Sequence, residues 1–328
     1  MRKILLLGSL AAVLLLPALP AWAAGASAPE AQGYTEGGPK LCLGCHDDAK
    51  VAEILLTPHA VKGDPHSPFG QHGCESCHGP AEEHTQNRFN PPPVVMKKGP
   101  RQSSVEARNE KCLSCHQAGL RMNWQGSQHA NNDVACNDCH RVHVRKDPVM
   151  VKLTQPAVCF TCHPEQRADS YKFSHHPIRE AKVVCSDCHN PMGSPGPKLL
   201  KEVTVNETCY NCHPERRGPF LWEHPPVRDS CLNCHTPHGS TQPRLLKMRP
   251  SFLCQECHGL STHQSGIFSG AQVPQPTPSN PSGVRTLKNP LTGTYGAVTN
   301  FRAFGRGCEN CHSNIHGSNS PAGMFFTR

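Results

Sequence analysis

Large apolar side chains are scarce in this chain. Aromatic residues make up 5% of its 328 residues and the mean hydropathy is -0.51. Proline, at 32 residues, is about twice its usual ~5% share. Such a composition excludes an ordinary close-packed core built from the chain's own side chains, and taken alone it resembles that of a partly disordered polypeptide. Long hydrophobic runs are also missing, with one exception at the start. Met1, Arg2 and Lys3 lead into an apolar run from Ile4 to Leu19 and then the small-residue triplet Ala21, Trp22, Ala23. That order reads as a secretory signal peptide over residues 1–23, cleaved after Ala23. The run falls short of the ~20 residues a membrane span needs, which weighs against an uncleaved anchor. The mature chain, 24–328, is expected to be soluble or held inside another protein.

What is present in excess is cysteine, with twenty residues, and histidine, with 22. An even cysteine count in an exported protein ordinarily signals a disulfide framework. Here every cysteine belongs to one repeated pattern. CxxCH occurs ten times, beginning at Cys42, Cys74, Cys112, Cys136, Cys159, Cys185, Cys209, Cys231, Cys254 and Cys308. Two thiols one helical turn apart suit addition to the two vinyl groups of a haem, and the adjacent histidine then lies under the iron as proximal ligand. CxxC pairs also build zinc ribbons, but zinc does not require a histidine directly after every second cysteine. The expected cofactors are therefore ten covalently bound haem c groups. Their thioether positions are Cys42, Cys45, Cys74, Cys77, Cys112, Cys115, Cys136, Cys139, Cys159, Cys162, Cys185, Cys188, Cys209, Cys212, Cys231, Cys234, Cys254, Cys257, Cys308 and Cys311. Their proximal ligands are His46, His78, His116, His140, His163, His189, His213, His235, His258 and His312. No residue is read as catalytic.

Haem resolves two anomalies of composition. Porphyrin faces supply the apolar surface that the side chains lack, so a multihaem cytochrome c fold is expected: mostly coil with short helices, little or no sheet, and an elongated chain of ten haems. The formal charge of +8 falls to +6 once Arg2 and Lys3 leave with the signal, since 31 Lys+Arg then face 25 Asp+Glu. Two propionates per haem would add twenty carboxylates and bring the loaded protein near -14. Lys and Arg are accordingly read as propionate partners, and nucleic acid is not expected as a partner.

The motifs fall into five two-haem units, starting near residues 42, 112, 159, 209 and 254, with a Pro-, Gly- and Ser-rich haem-free loop over 265–307. Counted from the first cysteine of each unit, His59, His129 and His176 lie at +17, His224 at +15 and His263 at +9. Counted from the second motif's first cysteine, His143 and His238 lie at +7, His316 at +8 and His84 at +10. This recurrence singles out the nine as distal haem ligands. The tenth position, +7 from Cys185, carries Met192 where its siblings carry histidine. Methionine ligates haem iron and raises its reduction potential, so one haem of higher potential is expected. The alternative is that His66, His72 or His175 takes that site. Met192 is expected to cap the haem held by Cys159, Cys162 and His163.

Segments such as DVACNDCHRVHVRKDPV from Asp133, NETCYNCHPERRGPFLWEHPPV from Asn206, CLNCHTPHGS from Cys231 and CENCHSNIHGSN from Cys308 carry a resemblance to the MtrA/DmsE-type periplasmic decahaem c-type cytochromes, over essentially the whole mature length. In that family every haem has two histidine ligands, so Met192 is a departure. The resemblance implies a periplasmic protein associated with the outer membrane, threaded through a β-barrel porin, carrying electrons between small periplasmic cytochromes and an extracellular multihaem cytochrome or metal. Both iron oxide reduction and Fe(II) oxidation are served by the family, so the direction of flow stays open. The competing reading is a multihaem periplasmic reductase with one catalytic haem, which requires an exchangeable axial position.

Overall fold

The computed structural model describes residues 33–258, residues 307–327 apart from 322, and the backbone of two short strands at 286–288 and 295–297. The signal peptide expected at 1–23 and the ligand position His263 lie outside the described residues.

Two kinds of helical turn alternate along the chain. The first motif of each unit sits at the C-terminal end of a short helix: Gly38–Leu43, Val105–Leu113, Gln155–Cys159, Val205–Tyr210 and Pro250–Gln255. The starts of these helices follow from sequence. Ser104 and Thr204 accept the amides of Ala107 and Glu207 at 3.2 and 3.1 Å, satisfying donors that the first turn leaves free. Pro39, Pro156 and Pro250 occupy first-turn positions of the other three, where a missing amide costs nothing. The second motif instead opens its own single turn, α-helical at Glu75–His78, Cys136–Cys139 and Cys185–Cys188 and 3-10 at Cys231–Asn233 and Cys308–Asn310. In all ten motifs the histidine amide donates to the carbonyl of the leading cysteine at 2.8–3.1 Å. That bond places both cysteine side chains and the imidazole around one turn.

In three units the two motifs are joined by a buried amide side chain ahead of the first cysteine. Asn206 donates to the Val227 and Arg228 carbonyls, both at 2.9 Å, and accepts the Cys231 amide at 2.7 Å. Asn109 accepts the Cys136 amide at 2.8 Å and donates to the Val134 carbonyl at 3.4 Å. Gln155 accepts the Ser186 amide at 2.9 Å and donates to the Val149 carbonyl at 2.8 Å. All three are buried, so each satisfies backbone groups that water does not reach.

Apolar packing between side chains is sparse. Ala135 and Val184, at equivalent places before their motifs, are 0% and 2% exposed. Asp138 and Asp187 lock those places by accepting the Ala135 and Val184 amides at 2.9 Å. By contrast Phe173, Leu153, Leu221, Met122 and Met150 are all more than two-thirds exposed on the polypeptide. Short helices separated by coil are thus the architecture, as expected for a multihaem cytochrome. Sheet among the described residues amounts to one antiparallel pair, Thr286–Lys288 with Tyr295–Ala297, and isolated bridges such as His189 with Leu200 and His235 with Leu246. The pair falls inside 265–307, so that stretch holds a small hairpin and is not loop throughout.

Replacing Asn206 by Ala strips the Cys231 amide and two carbonyls of their partner. A cost of about 1–3 kcal/mol is expected for stranding buried polar groups of this kind, read as a lower thermal midpoint of the exported, haem-loaded protein.

Candidate functional site

The histidines that the register singles out stand face to face with CxxCH histidines. Eight pairs of rings have centroids 6.0–6.4 Å apart: His46 with His84, His59 with His116, His78 with His143, His129 with His163, His176 with His213, His189 with His238, His224 with His258, and His235 with His316. An imidazole Nε2 lies about 1.1 Å from its ring centre, so this spacing leaves roughly 4 Å between facing nitrogens, room for one metal at the usual ~2.0 Å from each. The pairs therefore fit the two axial positions of a haem iron.

In several of these rings the other nitrogen is tied down. Nδ1 of His84, His129, His143 and His176 faces the carbonyls of Asn90, Pro191, Val51 and Pro237 at 2.6, 2.8, 3.1 and 2.7 Å. Among CxxCH histidines, Nδ1 of His78, His189, His235 and His312 faces the carbonyls of Val94, Lys198, Arg244 and Phe325 at 3.1, 2.9, 2.8 and 2.5 Å. Donation from Nδ1 fixes the tautomer and leaves Nε2 bare for a metal. Burial lowers the pKa of His59, His78, His116, His189, His224, His235 and His238, and burial with the Arg216 guanidinium nearby takes His316 to about 4. These eight shifts favour the neutral ring, the form that binds metal.

The pairing obeys two rules that spacing did not reveal. The histidine following a unit's first motif faces the first-motif histidine of the next unit, as His59 faces His116 and His176 faces His213. The histidine following a second motif faces the second-motif histidine of the preceding unit, as His143 faces His78 and His238 faces His189. Among the described residues, His84 alone pairs within its unit, with His46.

These rules correct the placing of Met192. His163 is already faced by His129, so the haem of Cys159 and Cys162 does not need Met192. The carbonyl of Pro191 receives His129 just as the carbonyl of Pro237 receives His176. Met192 consequently stands where His238 stands one unit later, and the same rule aims it at His140. Two of the three spare histidines are otherwise engaged and the third lies at the surface. His72 stacks on Tyr34 at 3.9 Å, His66 is exposed, and His175 has Nδ1 on the Lys172 carbonyl at 2.7 Å and Nε2 3.8 Å from Glu180.

Cysteine positions add the order of the sites. Within each unit the two leading cysteines come near enough for their charges to interact: Cys42 with Cys74, Cys112 with Cys136, Cys159 with Cys185, Cys209 with Cys231, and Cys254 with Cys308. Between units the trailing cysteines come near enough for their charges to interact: Cys77 with Cys115, Cys139 with Cys162, Cys188 with Cys212, and Cys234 with Cys257. Neighbouring cysteines of this kind thus connect all ten motifs in sequence order.

Known proteins resemble this chain in sequence. A doubled CXXCH motif family matches residues 175–218 and 224–261, and an NrfB-like c-type cytochrome family matches residues 74–155. The chain is 42% identical over 296 residues to the multiheme cytochrome MtrA of Shewanella baltica, covering 90% of this chain and 83% of that protein. It is 30% identical over 138 residues to the cytochrome c-type protein NrfB of Escherichia coli, covering 39% of this chain and 66% of that protein. The chain belongs to the MtrA family of multihaem c-type cytochromes. At that level its work is electron transfer through haem c, and its CxxCH segments are where haem is bound. Within this MtrA-family chain, reasoning from spacing missed the buried Asn109, Gln155 and Asn206. It also missed Asp147, whose carboxylate takes the Nδ1 proton of His140 at 2.7 Å.

The facing rings differ in twist, from 88° at His59 and His116 to 14° at His235 and His316. Crossed axial ring planes give low-spin ferric haem a large maximum g value and aligned planes give a rhombic spectrum. Both signals are expected in the electron paramagnetic resonance of the oxidised protein, and His59→Ala should deplete the first while sparing the second.

Proposed function

We propose that this chain is a decahaem wire with no substrate chemistry of its own, passing electrons through its ten haems in sequence order across the outer membrane inside a β-barrel porin. The observation that carries the reading is the eight facing imidazole pairs, together with the succession of neighbouring cysteines from motif to motif. Haem supplies the one-electron redox site at each step. The polypeptide closes both axial faces, and it sets the spacing by bringing each motif against the next.

In this reading the proximal ligands His46, His78, His116, His140, His163, His189, His213, His235, His258 and His312 are capped in turn by His84, His143, His59, Met192, His129, His238, His176, His316, His224 and His263. Met192 follows from the second-motif rule, and His263 takes the remaining site. Export by the leading segment places the protein in the periplasm. There small cytochromes at one end and an extracellular multihaem cytochrome or iron at the other would be its redox partners. A bilayer with its headgroups is about 40–45 Å thick, a distance that asks for a row of haems. No helix among the described residues is long and apolar enough to span it, and irregular polar backbone tolerates membrane depth when a barrel encloses it.

A reductase with one catalytic haem is the competing reading, favoured by the match of residues 74–155 to NrfB-like cytochromes and by the weaker ligand at Met192. Carbon monoxide separates the two. The fully reduced protein, carrying ten haems by mass, is expected to bind none, and His176→Ala is expected to create one binding site. Stoichiometric binding to the unaltered protein, or a mass short of ten haems, would refute the wire. Transmembrane conduction is checked in liposomes carrying the porin: reductant trapped inside should reduce an external ferric acceptor only when this chain is present.

A further inference from the structure

The second-motif histidines are anchored alike except for one. His78, His189, His235 and His312 each meet a backbone carbonyl through Nδ1, whereas His140 meets the Asp147 carboxylate at 2.7 Å. The reason is local. At +12 from the leading cysteine of the second motif, three units carry a proline: Pro148, Pro197 and Pro243. In two of them the next residues, Lys198 and Leu199 or Arg244 and Leu245, take left-handed backbone with φ of 54° to 59°. That turn aims the Lys198 and Arg244 carbonyls at the imidazole. In the third unit the equivalent residue is Val149, and a β-branched side chain is strongly disfavoured in the left-handed region. Val149 does not adopt it, so the carbonyl route is closed. Asp147, where the siblings have Gly196 and Gln242, supplies the acceptor instead. Its carboxylate is fixed in that position, because the other oxygen accepts the Arg141 and Val149 amides at 3.2 and 3.4 Å and the side chain is only 18% exposed.

The same haem is the one that the pairing rules aim Met192 at. We propose that Asp147 is a positioning residue that lowers the reduction potential of the haem held by Cys136, Cys139 and His140, offsetting the rise brought by Met192 on the opposite face. The proposal rests on assigning Met192 to that haem. A carboxylate that accepts the Nδ1 proton makes the imidazole a stronger donor, which favours ferric iron. A thioether favours ferrous iron. In a row of one-electron carriers, an electron entering from the preceding haem has to leave to the next. Each ~59 mV by which one site lies above its neighbours makes that departure tenfold less favourable. The exchange of ligand on one face and of anchor on the other therefore act in opposition at a single site in the interior of the wire.

The test uses the full haem-loaded protein with Asp147→Asn, Asp147→Ser and Asp147→Glu. Asn and Ser keep an acceptor for the turn that Asp147 caps and lack the carboxylate, and Glu restores it. The near-infrared charge-transfer band of Met-ligated ferric haem, followed by magnetic circular dichroism during a redox titration, reports this haem alone. Its midpoint is expected to rise in the Asn and Ser variants, giving a several-fold excess of ferrous over ferric haem at the unaltered protein's midpoint, and to return in the Glu variant. Loss of the band from the unaltered protein would overturn the Met192 assignment and this proposal together. A band present throughout, with its midpoint unmoved in both Asn and Ser variants of full haem content, would overturn the role of Asp147 while leaving the ligand in place. Should Asn impair export, Ser alone decides.

Discussion

Everything in this fold is arranged so that two imidazoles, drawn from different parts of the chain, meet across a gap of one metal ion. A single CxxCH turn is local and needs little help, because five residues and one backbone hydrogen bond define it. The facing imidazole is different, since it comes from another unit and brings a long loop with it. His143 reaches His78 while anchored on the carbonyl of Val51, 92 residues away, and His129 is anchored on Pro191 at a separation of 62. Closing such loops costs entropy that grows only slowly with length. A metal bond at each crossing offsets that cost where the chain has few large side chains to do so. The interlock also explains why sparse side-chain packing suffices: each unit is tied to the units before and after it through its ligands.

The units repeat down to atoms that make no contact with metal. Asn109, Gln155 and Asn206 stand three or four positions before their units' first cysteines and perform the same bridging. Ala135 and Val184 fill the same buried place, and Asp138 and Asp187 lock it. Such equivalence follows from chemistry that tolerates little variation. A thioether pair and an axial imidazole hold the porphyrin at fixed geometry, so the backbone around them has to return to one conformation each time.

Much of this was legible beforehand, and the parts that were not share a cause. The ten motifs, the five units and the facing histidines of the register could be read because spacing along the chain records local geometry. Which histidine faces which could not, because the pairing crosses between units and depends on how coil folds back. The expectation that Met192 caps the haem of His163 failed for this reason: it assumed closure within a unit, which among the described residues only His46 and His84 show. The hairpin of 286–288 with 295–297 was likewise hidden in a stretch rich in Pro, Gly and Ser, where composition points to loop. Asp147 was visible as a departure from the register at +11, yet its meaning depended on seeing the left-handed turns at Lys198 and Arg244.

Those turns show how one substitution constrains another within a repeat. In these turns the carbonyl acceptor costs two residues in left-handed backbone, a strain that Lys, Arg and Leu, not branched at Cβ, bear better than Val. Once Val149 occupies the turn, the imidazole of His140 loses its neutral acceptor. Leaving Nδ1–H without a partner would free the ring to rotate and to change tautomer, with Nε2 no longer reserved for iron. A carboxylate cures that defect but adds negative charge beside one ligand of one haem. Met192, the only departure from histidine in the register, falls by the pairing rule on the opposite face of that same haem. Three departures from the repeat, at Asp147, Val149 and Met192, therefore converge on a single site, and the charge brought by the first is opposed by the weaker donor brought by the last.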